Sequence, residues 1–271
     1  MKVDVILTCF NRKEKTVNCV KALLKNSAEL RFVIVDDNSS DGTADALEKI
    51  ECSKTLLRGS GNLYWAGGMR IGINHVLHAE ARADYVLLVN DDVEFYEKIV
   101  DKMIEQSQKK NGAVIVGSCC DANGKLTYGA IKFNNVFTRP MCYLLSTQEA
   151  DIAAEAFNCN AVLMPFGTMI TAGNFDAAYS HSLADYDYGF TLKKMGFCIY
   201  GTPFFVGVCC HNSLEGTWRD RSLSRRKRLR LKETPKGLPQ KEWNHFLLKN
   251  LGLGFFLRYA YSAKARIWLG L

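Results

Sequence analysis

Acidic side chains follow directly after apolar runs at three places in the sequence. These side chains are Asp36 and Asp37, Asp91 and Asp92, and Asp185 and Asp187. In an α/β protein the carboxyl ends of parallel strands meet at one edge of the sheet, where ligands bind. Carboxylates there can hold Mg²⁺ or Mn²⁺ against a phosphate, bind a sugar hydroxyl or act as a general base. A single pair is explained by turn or cap chemistry, but three pairs favour a ligand site.

Apolar runs alternate with helical patterns through the first half of the chain. Predicted strands cover Val3 to Thr8, Arg31 to Val35, Lys54 to Leu57, Tyr85 to Val89 and Ala113 to Gly117. Predicted helices cover Lys13 to Asn26, Ala44 to Ile50, Ala66 to Ala83 and Tyr96 to Lys109. This alternation predicts an α/β fold, a doubly wound, mostly parallel central sheet with helices on both faces.

The second half has weaker patterns. Hairpin-like pieces are predicted from Asp121 to Pro140, around an Asn123-Gly124 turn. A strand is predicted from Ala161 to Pro165, a helix from Tyr186 to Met195, and two strands broken around Pro203 within Phe197 to Cys210. Further helices are predicted over Arg219 to Lys232 and from Gln240 and Phe255 onward. The segment from Asp121 to Asn160 carries no recognisable motif.

The composition is that of a globular protein. The 271 residues are 48% hydrophobic and 23% charged, which excludes collagen-like, low-complexity and disordered classes. The opening residues lack the pattern of a secretory signal, so we expect a cytoplasmic protein whose ten cysteines are reduced thiols. No CxxC spacing indicates a structural zinc site, and no apolar run approaches the roughly 20 residues of a membrane span.

Positive charge is concentrated at the C-terminal end. Residues 218–271 contain 14 Lys and Arg against 3 Asp and Glu, a net charge of +11, whereas residues 1–217 carry −4. The excess predicts an anionic partner: a phospholipid surface, a pyrophosphate-bearing substrate or nucleic acid. Nucleic acid is disfavoured because the basic stretch from Arg219 to Leu231 lacks interleaved aromatic residues. Aromatic residues follow later among Lys and Arg, as in helices that rest on an anionic bilayer: Trp243, Phe246, Phe255, Phe256, Tyr259, Tyr261 and Trp268.

Six segments, in order, carry a family resemblance. They read VDVILTCFNR, VIVDDNSSDGT, GNLYWAGGMRIGI, YVLLVNDDVEF, ADYDYGFTLKKMGF and GVCCHN. Together they resemble the family-2 glycosyltransferases with the GT-A fold, in particular inverting, rhamnosyltransferase-like members. The resemblance implies a catalytic domain over residues 1–217, with a nucleotide-binding half (1–118) and an acceptor half (119–217), followed by a basic helical C-terminal extension (218–271).

The resemblance also implies a set of donor-binding residues. The end of the first strand would touch the nucleotide base through Thr8, Phe10 and Arg12, and Asp37 would read the base edge. The stretch from Gly61 to Gly72 would run beneath the ribose and diphosphate, with contributions from Asn62, Trp65, Gly67 and Arg70. In the Asn90-Asp91-Asp92 segment, at the place of the family's DxD motif, Asp91 would approach the ribose and Asp92 would bind the metal.

The resemblance places the general base at Asp185, which would take a proton from the acceptor hydroxyl. Two departures from the usual pattern stand out: Asn90 replaces the first acidic residue of the DxD motif, and Ala184 replaces a Glu that precedes the base in many relatives. Asp187 is a possible substitute base. His211 would complete the metal site or touch the diphosphate, although a lone histidine is more often structural.

The resemblance therefore implies an inverting glycosyltransferase that depends on Mg²⁺ or Mn²⁺. It would transfer a hexosyl or deoxyhexosyl group from a nucleoside-diphosphate sugar to a hydroxyl of a glycan or lipid-linked glycan, in surface polysaccharide synthesis and with peripheral membrane contact through the basic tail. One alternative is a degenerate module that binds nucleotide sugar or glycan without turnover. A nucleotidyltransferase is disfavoured, because no glycine-rich loop with a phosphate-gripping lysine follows the first strand.

Overall fold

The computed structural model describes residues 1–134 and 141–271; part of the predicted hairpin region, residues 135–140, lies outside them. Its strands are β1 (Lys2–Cys9), β2 (Glu29–Asp36), β3 (Ser53–Arg58), β4 (Tyr85–Val89), β5 (Glu94–Phe95), β6 (Val114–Cys120), β7 (Leu126–Tyr128), β8 (Ala130–Phe133), β9 (Cys142–Leu144), β10 (Ala156–Phe157), β11 (Ala161–Pro165) and β12 (Ile199–Val208). Its α-helices are α1 (Lys13–Leu23), α2 (Thr43–Glu48), α3 (Tyr64–Leu77), α4 (Ile99–Lys109), α5 (Phe166–Ala172), α6 (Ala184–Lys194), α7 (Arg225–Lys232), α8 (Gln240–Phe246), α9 (Leu253–Tyr259) and α10 (Ser262–Trp268).

The central sheet has the order β3-β2-β1-β4-β11-β6-β12-β5, and β7 pairs with β6 beside this path. Strand β1 is parallel to β2 and β4, β2 to β3, and β6 to β12, which confirms the predicted mostly parallel sheet. Strand β11 runs antiparallel between β4 and β6. Its direction was not predictable, because a fully buried strand has the same apolar pattern in either direction. A second, three-stranded sheet has the order β10-β8-β9.

Both faces of the central sheet are buried, and successive residues of a strand point to opposite faces. On one face Ile6 belongs to a cluster with Met69 and Ile73 of α3. On the other face Leu7 belongs to a cluster with Met103 of α4. Helices therefore cover both faces of the sheet, as the continuous apolar strands predict.

Several predicted boundaries were wrong, and the backbone gives the reasons. Helix α3 ends at Leu77 rather than Ala83, and α4 begins at Ile99 because Lys98 adopts a left-handed conformation with φ 57°. The segment from Phe197 to Cys210 is not two strands. It forms the single strand β12, whose register with β6 shifts between Gly201 and Phe205, so the bulge accommodates Pro203, which has no N–H to donate.

The C-terminal helices pack into the body rather than extending from it. Trp243, Phe246, Phe255 and Tyr259 are buried in the same cluster as α3 and α6. Within the predicted helix over Arg219 to Lys232, only α7 is helical, and the side chain of its N-cap residue Ser224 accepts a hydrogen bond from a backbone N–H of the first turn. None of the described helices is long and apolar enough to cross a membrane.

Helix α3 approaches β1 closely because its packed positions are glycines. A Cβ at Gly72 would lie 2.5 Å from Cγ2 of Ile6, and a Cβ at Gly68 would overlap the Thr8 side chain. Residue Gly254, in α9, has no heavy atom within 4 Å of an added Cβ. The close approach of α3 holds the loop that precedes it against the end of β1.

We expect Gly72→Ala to lower the free energy of unfolding by about 1–3 kcal/mol, because Ile6 lies in a buried strand that cannot give way. The matched control Gly254→Ala should leave stability unchanged or raise it by up to about 1 kcal/mol, since alanine favours the helix. Urea unfolding followed by circular dichroism measures both. Equal midpoints for the two variants would contradict the close packing of α3 on β1.

Candidate active site

Two connected cavities lie at the edge where the parallel strands end. The larger, of about 820 Å³, is lined in part by Asp92 and Asp185, and the smaller, of about 280 Å³, by Thr8, Phe10 and Asp37. The residues common to both linings are Arg12, Trp65, Asp91 and His181. Acidic residues that are far apart in sequence therefore share one hollow, which is the arrangement that the strand-end pattern predicts.

Arg12 joins the two aspartates that follow β4. Its Nη1 donates to Oδ1 of Asp91 at 3.0 Å and to Oδ2 of Asp92 at 2.9 Å. The other oxygen of Asp91 accepts from the Thr16 hydroxyl at 3.0 Å. Burial raises the pKa of the Asp91 carboxyl, and the charge of Arg12 offsets only part of that effect. Arg12 was predicted to touch the base; in this structure it neutralises the acidic pair.

Asp92 is the carboxylate best placed to hold a divalent cation. Its Oδ2 accepts from Arg12, whereas the described residues offer its Oδ1 only the weak Cys209 thiol donor at 3.9 Å. Among residues 1–134 and 141–271, no group of three or more His, Cys, Asp or Glu side chains could hold a metal. One hard carboxylate in a cavity still fits Mg²⁺ or Mn²⁺, which bind through one or two carboxylates together with substrate phosphates and waters.

Asp37 fixes the loop between β3 and α3. Its two carboxylate oxygens accept from the backbone N–H groups of Gly61 at 2.7 Å and Leu63 at 2.9 Å. Asp37 still lines the smaller cavity beside Phe10, which is 47% exposed and free to contact a flat ligand. Asn62, by contrast, is exposed and does not line either cavity.

Trp65, in the first turn of α3, is oriented by hydrogen bonds at both its ring and its backbone. Its indole Nε1 donates to Oδ1 of Asn90 at 2.8 Å, and its backbone N–H donates to Nδ1 of His181 at 3.3 Å. Burial, with smaller contributions from the charges of Lys236 and Arg12, lowers the pKa of His181 to about 4. His181 is therefore neutral at pH 7, and because Nδ1 accepts, the ring proton lies on Nε2.

Two predicted diphosphate contacts have other partners in the structure. Nη1 of Arg70 donates to the carbonyl of Tyr179 at 2.7 Å, and Arg70 lines neither cavity. Gly67 is buried within α3, where an added Cβ would lie 3.2 Å from Cβ of Leu63. Besides Arg12, an exposed lysine of the C-terminal extension, Lys236, lines the smaller cavity. The sequence showed Lys236 only as one of many basic residues.

Asp185 lies in the first turn of α6 and faces the larger cavity. Its Oδ1 accepts from the Tyr186 N–H at 2.9 Å and its Oδ2 from the Cys159 N–H at 3.3 Å. Burial raises the pKa of Asp185 to about 6 although both N–H groups favour the ionised form. Leu183, the N-cap residue of α6, has φ 70°, a left-handed conformation that is strained for a leucine and that is often found at functional sites.

Asp187 is not available as a substitute base, because the tail occupies it. It is 2% exposed and accepts from the Tyr179 hydroxyl at 3.0 Å, from Nζ of Lys249 at 2.8 Å and from Nδ2 of Asn250 at 2.6 Å. Lys249 also donates to Asp176 at 2.8 Å. This network ties α6 to the segment that follows α8, so Asp187 anchors the helix that carries Asp185.

His211 is exposed and lies outside the lining of both cavities. Its ring packs edge-on against Tyr128, with 5.0 Å between the ring centres. Tyr128 and Asn212 line the larger cavity, so the segment after β12 borders the site while the described residues give His211 no contact with Asp92.

The outer wall of the larger cavity comes from the C-terminal extension. Its lining residues there are Trp218, Arg219, Gly237, Leu238, Trp243, Tyr259, Ser262, Ala263, Arg266 and Leu271. The Ser182 hydroxyl, next to His181, donates to the Gly237 carbonyl at 3.1 Å and so joins this wall to the loop before α6. Sequence patterns missed this arrangement, because a basic, aromatic tail also fits a surface helix.

Solved structures with similar folds include a mannosyltransferase and TarS. The mannosyltransferase PcManGT from Pyrobaculum calidifontis, solved in complex with GDP-Man and Mn²⁺, matches 99% of this chain and 73% of its own with a TM-score of 0.62 and 14% identity. Residues 1–349 of TarS from S. aureus in complex with UDP match 97% and 72% with a TM-score of 0.57 and 12% identity. These similarities confirm the GT-A-like fold.

Sequence relatives match shorter segments. The glycosyltransferase GlyG of Streptococcus pneumoniae is 22% identical over 122 residues, which cover 43% of this chain and 38% of GlyG. The protein named uncharacterized glycosyltransferase YfnE of Bacillus subtilis is 26% identical over 119 residues, which cover 43% of this chain and 30% of YfnE. The chain thus spans about a third of the length of these relatives. The family model for glycosyl transferase family 2 matches residues 4–161, more than half of the chain, and the protein therefore belongs to glycosyl transferase family 2.

Proposed function

We propose that this protein is an inverting, metal-dependent glycosyltransferase that moves a hexosyl or deoxyhexosyl group from a nucleoside-diphosphate sugar to a hydroxyl of a glycan. One observation carries the proposal: Asp92 and Asp185 line the same cavity of about 820 Å³, and that cavity adjoins a smaller one suited to a nucleotide. In this proposal residues 1–217 supply the catalytic centre, and the extension over 218–271 completes its outer wall.

The smaller cavity holds the nucleotide in this proposal. Phe10 offers an aromatic surface to the base, and Asp37, anchored by two backbone N–H groups, accepts from the base edge. Asp91 lines both cavities and takes the ribose side. Lys236 and the Nε2–H of His181 face the diphosphate, in the role for which the sequence predicts Arg70.

The transfer needs one base and one leaving-group site on opposite sides of the sugar. Ionised Asp185 removes the proton of the acceptor hydroxyl, whose oxygen attacks the anomeric carbon while the bond from that carbon to the diphosphate oxygen breaks on the opposite face. The electron pair of that bond leaves with the nucleoside diphosphate, which inverts the anomeric configuration. In this proposal Lys236 and Arg12, which both line the smaller cavity, stabilise the negative charge on the departing diphosphate.

A divalent cation would be held by Asp92, and it supplies neutralisation of the negative charge that grows on the leaving diphosphate. The neighbour solved with GDP-Man and Mn²⁺ supports Mn²⁺ as the first ion to test. His211 stays a prediction as a second ligand or as a diphosphate contact, and its exposed position beside Tyr128 argues for a peripheral role.

The rival hypothesis of a binding module without turnover depends on Ala184. This residue is 1% exposed and belongs to the apolar cluster below α6, so a glutamate there would bury a charge. The substitution is explained by packing rather than by loss of the catalytic group, because Asp185 keeps its place in the cavity. This observation favours the enzyme over the module.

A lipid-linked acceptor in surface polysaccharide synthesis is consistent with the surface of the C-terminal helices. Large apolar side chains are exposed there, by 54% to 74%: Leu253, Leu257, Tyr261, Trp268, Leu269 and Leu271. Arginines of α7 are exposed beside α10, with which α7 packs. Apolar side chains flanked by cations suit an anionic membrane surface, so we propose peripheral binding through α7, α9 and α10.

Asp185→Asn should lower the rate of transfer at least about 100-fold and leave nucleotide affinity within about twofold of wild type, because only the base is lost. Asp92→Ala should also weaken Mn²⁺-dependent binding of the nucleoside diphosphate at least about tenfold. The assay is release of nucleoside diphosphate from UDP-, dTDP- and GDP-sugars, with affinities from calorimetry.

In wild type the rate should rise with pH through about 6, since Asp185 must be ionised. Equal rates for Asp185→Asn and wild type would identify the wrong carboxylate.

Lys236→Ala should weaken nucleoside diphosphate binding about tenfold or more and leave nucleoside monophosphate binding unchanged, because its charge faces the part of the ligand that only the diphosphate has. The control Lys241→Ala removes an exposed lysine of α8 that lines neither cavity, and its affinities should equal those of wild type. If Lys236→Ala lost affinity equally for nucleoside diphosphate and monophosphate, or lost none for either, the diphosphate contact would be contradicted.

Wild-type protein should sediment with phosphatidylglycerol vesicles and not with phosphatidylcholine vesicles. Replacing Leu257 and Tyr261 by Asp should reduce the bound fraction at least about tenfold, because it removes apolar contact and adds repulsion. The control Ile152→Asp changes another exposed apolar side chain, 41% exposed, away from the C-terminal helices. Unchanged sedimentation of the Leu257 and Tyr261 variant would remove the membrane proposal.

A further inference from the structure

Two arginines of the C-terminal extension line the cavity that contains Asp185, and the proposed donor chemistry uses neither. They are Arg219 and Arg266. In the described part of the chain neither forms a salt bridge with a carboxylate, whereas Arg12 in the same cavity is bound to two. The cavity wall thus presents two positive charges for which the described residues supply no carboxylate partner.

The backbone that carries these arginines is held by a third arginine, Arg228, which is 3% exposed. Its Nε donates to the carbonyl of Trp218 at 3.0 Å, immediately before Arg219, and its Nη2 donates to the carbonyl of Leu271 at 2.8 Å. The Leu271 N–H in turn donates to the carbonyl of Arg266 at 2.8 Å. A single buried guanidinium therefore fixes both segments of the wall relative to each other.

Arg219 is also placed on the acceptor side of the cavity. Its guanidinium carbon lies 5.1 Å from the centre of the Trp218 ring, which restricts its movement. Its charge opposes the increase that burial causes in the pKa of Tyr186, the residue next to Asp185. Arg219 lines the same cavity as Asp185 and Tyr186 and not the nucleotide cavity, whose lining includes neither arginine.

We infer that the acceptor carries an oxyanion group, a phosphate or a carboxylate, which Arg219 and Arg266 bind while the reacting hydroxyl faces Asp185. This inference rests on the proposed function, because it names the class of acceptor for that site. A guanidinium presents paired N–H donors that match the oxygens of phosphate and carboxylate. The pair also offsets the repulsion that an anionic acceptor would meet from Asp92 and Asp185.

The test uses the full chain saturated with UDP or GDP and Mn²⁺, so that the diphosphate positions are filled. Glycerol 1-phosphate, glycerate and glycerol are then titrated as probes by calorimetry. We expect saturable binding of at least one anionic probe and none of glycerol; the tighter of the two anions identifies phosphate or carboxylate as the preferred group.

The variant Arg219→Gln with Arg266→Gln should weaken binding of that probe at least about tenfold and leave nucleotide affinity unchanged. The matched control is Arg225→Gln with Arg226→Gln, two exposed arginines of α7 outside the cavity, which removes the same charge and should bind as wild type. Absence of saturable anion binding in wild type, equal binding by the double variant, or an equal loss in the control would each overturn the inference.

Failure of the proposed function gives a different pattern. If wild type binds no nucleoside diphosphate, the donor assignment is wrong, and the same probes titrated into the free protein then decide the anion site alone. Binding of phosphatidylglycerol vesicles that persists in the double variant assigns lipid headgroups to α7 rather than to this cavity.

Discussion

The site depends on the compensation of negative charge at one edge of the sheet. Parallel strands bring Asp37, Asp91 and Asp92 to the same edge, where partial burial makes each unpaired carboxylate costly. Arg12, at the turn between β1 and α1, meets this constraint by donating to both Asp91 and Asp92. Because the donor atom is shared, a cation that arrives with a ligand competes with Arg12 for Asp92 but leaves Asp91 its bond to Thr16.

The C-terminal extension is bound to the body at several points, and this makes it part of the site. Its lysine Lys249 bridges Asp187 of α6 and Asp176. Four of its aromatic side chains belong to the buried cluster beneath α3 and α6. The extension therefore shapes the cavity in two ways, since it supplies the outer wall and it anchors the helix that presents Asp185. A basic composition alone would have suggested only a charged surface.

Sequence patterns predicted the parts of the structure that local signals determine. The bounds of β4 and β11 agree with the apolar runs, because buried β4 ends where the polar site begins and antiparallel β11 begins at that same edge. The carboxylates at strand ends were found for the same reason. Arg70 and Gly67 lie outside the linings of both cavities, and their donor roles stay predictions, because a glycine-rich stretch before a helix can serve either a ligand or helix packing.

Other features depend on contacts between segments distant in sequence and leave no local pattern. Lys236 and His181 come together in the smaller cavity from positions 55 residues apart, and neither belongs to a motif. The tail aromatics illustrate the same limit. Four of the seven are buried in the core, and the exposed apolar surface consists largely of leucines that periodicity does not distinguish from core positions. The contacts that each side chain makes, rather than its residue type, decide whether it belongs to the cavity, the core or the exposed surface.

The same principle separates the aspartates of the site, which are chemically identical. Asp187 and Asp185 lie two residues apart in the first turn of α6, yet Asp187 accepts from three side chains and Asp185 only from two backbone N–H groups. Burial raises the pKa of Asp185 to about 6, and no cationic side chain of the described residues offsets this effect. A carboxylate with such a pKa is ionised at neutral pH and can still accept a proton. Asp91 and Asp92 share Arg12 and stay suited to binding. The tail, by occupying Asp187, leaves Asp185 as the carboxylate of α6 that can act as a base.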